Sequence, residues 1–293
     1  MFSQYSIKEL EHLSGIKAHT LRIWEQRYGV LTPKRTETNI RYYTDEDLKR
    51  ILNIALLNKM GLRIGQISLM NDAEINEAIA CHSTTCDMHY ELHINDLTHA
   101  MIALDELYFE KKINTCILQH GLFATMLKVV YPFLEKIGVM WMTGNINPAQ
   151  EHFISNLIRQ KLIVAIDGQI VSYNEKSKHY LLFLPDGELH ELSLLFLCFV
   201  LKSNNHKVTY LGASVPTKDV AAVIEYTKPQ YVYTIFTYSK PINAVKKYIS
   251  ELANVANKQQ IVVSGQLLEK CSFQFPENVN IVQDFNKHLA HFV

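Results

Sequence analysis

Apolar residues follow a helical spacing at the start of the chain. Ser6 and Glu9 stand as a capping box before Ile7, Leu10 and Leu13, which share one face, and Gly15 ends that first helix. A second helix is predicted from about Ala18 to Tyr28, burying Leu21 and Trp24. From Pro33 to Tyr43 the β-prone Ile40, Tyr42 and Tyr43 predict a two-stranded wing. Thr44 and Asp47 then cap a third helix that turns Leu48, Ile51, Leu52, Ala55 and Leu56 inward, and Gly61 interrupts it before Ile64. The polar stretch from Asn71 to His89 is expected to be a linker. Beyond it, Asp96 to Ile166 keeps a helical period almost throughout.

From Tyr180 the pattern changes. Short apolar runs at Tyr180–Leu184, Val208–Leu211, Tyr231–Phe236, Ile261–Val263 and Ile281–Val282 alternate with amphipathic stretches. Five strands alternating with helices predict a doubly wound parallel sheet with right-handed crossovers. The expected fold is therefore multidomain: a winged helix-turn-helix over residues 1–75, a helical bundle over 90–172 and a Rossmann-like α/β domain over 178–293.

A length of 293 residues agrees with several domains, because single cores usually stop growing at about 250 to 300 residues. With 48% hydrophobic and 20% charged residues, most of the chain should be packed. Met1 to Ser6 lacks the basic and apolar regions of a secretory leader, and no uninterrupted apolar run has the length of a membrane helix. Cys81, Cys86, Cys116, Cys198 and Cys271 are odd in number and scattered, as expected of free thiols in a reducing compartment. A cytoplasmic protein without membrane contact is expected.

Zero net charge conceals an asymmetry. Residues 1–70 carry eleven basic against seven acidic side chains, a balance of +4, so the remainder carries −4. Only this first segment has the sign that attracts phosphate. Lys17, His19, Thr20, Arg22 and Arg27 form a polar face on the second helix that can enter a major groove, while Arg35 and Arg41, with Tyr28, Tyr42 and Tyr43, are placed for phosphates and the minor-groove edge. Two further groupings invite a ligand. Trp141 precedes the pair Glu151-His152 at the start of an amphipathic helix, and Glu188-Leu189-His190 follows the first long strand, at the carboxyl end where open sheets bind ligands. His190 can ligate a metal with Glu188 orienting its ring. The cluster of Cys81, His82, Cys86, His89 and His93 lacks the spacing of a zinc finger and is taken as part of the polar linker.

The ordered series Tyr5-Ser6-Ile7, Leu13-Ser14-Gly15-Ile16, Thr20-Leu21-Arg22-Ile23-Trp24-Glu25-Gln26-Arg27-Tyr28, Pro33, Arg35 and Ile40-Arg41-Tyr42-Tyr43 resembles the MerR family of transcriptional regulators. The order of the tryptophan, the Glu-His pair and the histidine motif extends this over the whole chain, which resembles the light-responsive, cobalamin-dependent repressors of the CarH/LitR type. The resemblance implies a non-enzymatic repressor that binds a palindromic operator on double-stranded DNA as a homodimer or homotetramer, under control of adenosylcobalamin. It implies that the four-helix bundle caps the cofactor, with Trp141, Glu151 and His152 covering the adenosyl group. It also makes His190 the lower cobalt ligand, and puts Thr234 and Ser264-Gly265 beside the nucleotide tail. This chain departs from the family pattern in having Glu188 for aspartate, Ser193 and Ser264 for glycines, and Met142 where light-sensing members can carry a histidine. Two other readings remain: a regulator whose degenerate pocket answers to a protein partner, and a corrinoid component for methyl transfer.

Overall fold

A computed structural model describes residues 5–36, 38–82, 86–142, 146–237, 241–265, 268, 275–290 and 292. The chain divides into two compact units, Met1–Leu157 and Ile158–Val293.

The first unit opens with α1 (Ile7–Ser14) and α2 (Ala18–Tyr28), each closed by a glycine in the left-handed region, Gly15 at φ 73° and Gly29 at φ 62°. The predicted Ser6–Glu9 capping box forms, the Glu9 amide donating to Ser6 Oγ at 3.3 Å. A two-stranded wing follows, β1 (Lys34–Arg35) antiparallel to β2 (Arg41–Tyr42). Helix α3 (Asp45–Lys59) starts on the Thr44–Asp47 box and buries Leu48, Ile51, Leu52, Ile54, Leu56 and Leu57. Short α4 (Ile64–Ile67) follows Gly61.

The segment expected to be a linker is helical instead, as α5 (Asp72–His82) and the start of α6 (Cys86–Ala103). Two features outweigh its polarity. Asn71 caps α5, accepting from the Glu74 amide at 3.0 Å, while its own amide donates to Glu74 Oε2 at 2.7 Å. Ile75 and Ile79, one turn apart, are buried, and α5 packs against α3. Of the cysteine and histidine cluster only His93 has a described side chain. It is buried, and desolvation holds its pKa below the usual histidine value.

Helix α7 (Glu106–Thr125) passes through a π-helical turn (Met126–Val130) into α8 (Tyr131–Met142), and α9 (Pro148–Asp167) completes the helical series. Gly121, at φ 76° and ψ 160°, kinks α7. The run Glu106–Trp141 is long and apolar enough to cross a membrane, so the sequence expectation is qualified here; in this fold Phe109, Ile113, Met126, Val130, Phe133 and Ile137 are buried, and the run packs on α6.

Among the described residues the second unit holds five parallel strands: β3 (His179–Pro185), β4 (Lys207–Val215), β5 (Tyr231–Ile235), β6 (Gln260–Ser264) and β7 (Val279–Val282). Their spatial order is β4-β3-β5-β6-β7. The interleaved helices are α10 (Leu192–Ser203), α11 (Thr217–Thr227), α12 (Ile242–Val255) and α13 (Phe285–Ala290). Helices α11 and α12 bury Val220, Ile224, Val245 and Ile249 against Leu181, Phe183, Val232 and Ile261 on one face. Right-handed crossovers put α10 on the other. The chain leaves β3 for the edge strand β4 and returns past it to β5, so the order reverses between β3 and β5. Ligands of such sheets bind in the crevice at the carboxyl ends of the strands flanking that reversal.

Candidate functional site

In the head, α2 turns Leu21 and Trp24 inward and leaves Lys17, His19, Arg22 and Arg27 exposed, with Thr20 and Tyr28 half-buried. The Lys17 ammonium lies 3.3 Å from Glu11 and is 83% exposed, so it remains accessible. In the wing, Arg35 donates to Asn39 Oδ1 at 2.7 Å, and Arg41 Nε sits 3.6 Å from Glu25. Tyr42 is half-buried.

Tyr43 corrects the sequence reading. It is fully buried, and its hydroxyl donates to Glu25 Oε2 at 2.8 Å. Burial first, and then the Glu25 carboxylate, push its pKa well above the ordinary tyrosine value. Its backbone also pairs with Tyr5. A residue so enclosed fastens the wing to α1 and α2 and has no surface for a phosphate. The alternation of the wing explains the outcome, since Tyr42 and Tyr43 must face opposite sides.

In the helical unit, Trp141 is 59% exposed at the end of α8. Glu151, in the first turn of α9, accepts from Ser155 at 2.7 Å through one carboxylate oxygen and lies 3.1 Å from His152 Nδ1 through the other. The His152 side chain is 75% exposed.

The second unit builds its site at the sheet reversal. After β3, Gly187 at φ 78° turns the chain so that Glu188 points inward and His190 outward. The Glu188 side chain is 2% exposed, that of His190 61%. One Glu188 oxygen accepts from His190 Nδ1 at 2.7 Å and from the His190 amide at 3.1 Å; the other accepts from the Thr237 amide, just past β5, at 2.9 Å. A carboxylate only accepts, so Nδ1 carries the proton and the lone pair of the neutral ring lies on Nε2. That nitrogen, on the far side of the ring, is a donor suited to cobalt and other borderline metals. A buried carboxylate stiffening the ring is the usual support of a metal-binding histidine. The residues present therefore fit a cobalt-centred cofactor. Ser193 lies half-buried in the first turn of α10.

Thr234 and Ser264 are fully buried, and among the described residues the Thr234 hydroxyl has no hydrogen-bond partner. Strand alternation places them apart: Thr234 shares the α11–α12 face with Val232 and Phe236, whereas Ser264 lies on the opposite face. The sequence reading grouped them around one tail, and the structure does not bring these side chains together. Gly265 has its own requirement, because a Cβ there would meet the Phe236 carbonyl oxygen at 2.0 Å. The Thr237 amide carries no side-chain signal, so nothing in the sequence could have assigned it.

The family model for the MerR HTH family regulatory protein matches residues 5–74, and that for the B12 binding domain matches 93–165. The chain is 28% identical over 233 residues to the HTH-type transcriptional repressor CarH of Myxococcus xanthus, covering 78% of this chain and 77% of that protein. It is 26% identical over 265 residues to CarA of the same organism, covering 88% and 85%. The HTH-type transcriptional regulator MlrA of Escherichia coli K12 matches over 66 residues at 35% identity, covering 22% of this chain and 27% of that one. Among solved structures, the monomethylamine corrinoid protein of Methanosarcina barkeri superposes with a TM-score of 0.52 at 10% identity, over 67% of this chain and 94% of that one, a likeness of fold. This chain thus joins a MerR-type helix-turn-helix domain to a B12-binding domain and is homologous to the CarH and CarA repressors.

Proposed function

We propose that this protein is a transcriptional repressor whose hold on double-stranded operator DNA is controlled by adenosylcobalamin. The observation that carries the reading is the buried Glu188 carboxylate gripping His190 Nδ1 at the reversal of the sheet, which leaves Nε2 as a ligand. His190 would ligate the cobalt through Nε2, and Trp141, Glu151 and His152 would serve the adenosyl group. The bound cofactor supplies a cobalt–carbon bond that light can break. Division into a head at 1–75, a bundle at 90–172 and an α/β domain at 178–293 gives DNA binding and sensing separate cores.

In the head, Arg22 reads a base edge while Lys17, Arg27, Arg35 and Arg41 hold phosphates, supported by His19, Thr20, Tyr28 and Tyr42. Control is a matter of linkage: the cofactor shifts DNA binding only as far as it favours one state of subunit association. Two or more heads on a palindromic operator multiply a small change in association through effective concentration. The protein works in the cytoplasm, as a dimer or tetramer.

The test is direct. Purified protein is mixed with adenosylcobalamin in darkness, desalted, and its absorbance recorded before and after illumination, with operator retardation and gel filtration on the same samples. The expected result is a retained corrin spectrum and DNA retardation that illumination changes. Loss of the corrin on desalting, with DNA binding indifferent to it, would overturn cofactor control and favour a protein partner.

A further inference from the structure

The residue after the proposed cobalt ligand is engaged from two sides. Glu191 occupies the N-cap position of α10, yet its side chain makes no capping hydrogen bond. It turns away from the helix. One carboxylate oxygen lies 2.5 Å from Arg159 Nε, on the part of α9 that belongs to the second unit, and the other accepts from the Tyr210 hydroxyl on β4 at 2.9 Å. The Glu191 side chain is 16% exposed, so the ion pair is sheltered on the carboxylate side. Tyr210 stands beside an irregularity in the ladder, where the β3–β4 register shifts between Leu182–Tyr210 and Phe183–Gly212. A bulge of this kind re-aims neighbouring side chains. Burial, followed by the hydrogen bond to Glu191, raises the Tyr210 pKa, which keeps the phenol protonated as the donor.

The geometry has a mechanical meaning for His190. Glu188 fixes the imidazole at its ring, but the backbone that carries the ring is fixed by residues on both sides of it. On one side the Ser214 amide donates to the Glu188 carbonyl at 3.0 Å. On the other the Glu191 side chain is anchored by Arg159 and Tyr210. We propose that Arg159, Glu191 and Tyr210 form a latch that fixes the His190 loop and sets how firmly His190 holds cobalt through Nε2. None of the three touches the metal. They are positioning residues, and the inference rests on the cobalamin reading above.

Full-length protein loaded with hydroxocobalamin tests it. Visible absorption reports nitrogen ligation of cobalt, and acid titration of that band gives the pH at which His190 is protonated off. Supporting contacts around a ligand change affinity by about 10- to 100-fold, so Arg159→Ala and Tyr210→Phe should each weaken ligation about tenfold and raise the titration midpoint by about one pH unit. Arg159→Lys, which keeps the charge, should recover part of the shift. Thermal unfolding of the apo variants identifies any that are simply misfolded, and Tyr210→Phe, which loses one oxygen atom, is the mildest probe. His190→Ala serves as the reference. If it loses the ligand band while Arg159→Ala and Tyr210→Phe both titrate like the parent, the latch is wrong and the cobalamin reading stands. Should His190→Ala and the parent give the same spectrum, the cobalt-ligand reading fails and takes the latch with it.

Discussion

At the residue scale, the chemistry turns on which polar atoms are already committed. Both Glu188 oxygens are occupied, by His190 and by the Thr237 amide, and the carboxylate itself is buried. Glu188→Gln replaces one acceptor with an amino group and sets donor against donor. Cofactor affinity should fall about 10- to 100-fold, as measured by equilibrium titration with cobalamin. Tyr43 gives the complementary prediction. Tyr43→Phe removes the hydrogen bond to Glu25 from a fully buried position, which should cost about 1 kcal/mol of stability in urea unfolding. The salt dependence of DNA binding should be unchanged, whereas a phosphate contact would lower its slope.

At the element scale, the junction of α3, α6 and α8 holds an uncommon lysine. Lys136 donates to Asn95 Oδ1 at 3.1 Å and lies near the Lys59–Glu91 pair, whose own separation is 2.7 Å. Desolvation, with Lys59 adding to it and Glu91 opposing, pushes its pKa down from 10.5 to about 8. The unfolded chain therefore holds a proton that the folded chain has lost between those two values. Stability should rise with pH across that window, since the state binding more protons is the unfolded one. Below about pH 8 both states are charged and the burial penalty is felt in full. Lys136→Met should flatten the rise, as read from urea midpoints at pH 7 through 10. A slope identical to that of the parent would show that another group causes it.

At the scale of the whole molecule, a balance of +4 over residues 1–70 against −4 over the rest confines phosphate attraction to one end. Operator affinity should fall steeply with salt, and Arg41→Ala should reduce the slope of log affinity against log salt by about one. Arg22→Ala should instead cost about 1 to 3 kcal/mol and relax sequence preference at one position. Retardation assays across a salt series, on operator and scrambled duplex, separate the two effects. If both variants bind like the parent, the recognition surface lies elsewhere.

The sequence alone determined the elements whose signals are local. Capping pairs such as Ser6–Glu9 and Thr44–Asp47, the glycine closing α1, and five apolar runs between amphipathic stretches each act over a few residues, so their spacing is readable in one dimension. Glu188 and His190 were legible for the same reason, being two positions apart on one loop. Tertiary structure decided the rest. Whether Tyr42 or Tyr43 faces inward depended on what packs behind the wing, and the polarity of 71–89 hid two isoleucines that α3 covers. The Thr237 amide reaches Glu188 from 49 positions away, and Arg159 and Tyr210 reach Glu191 from 32 and 19. Such partners meet only once the sheet order has reversed between β3 and β5, because strand order is fixed by crossovers and packing between distant segments, which local spacing does not encode.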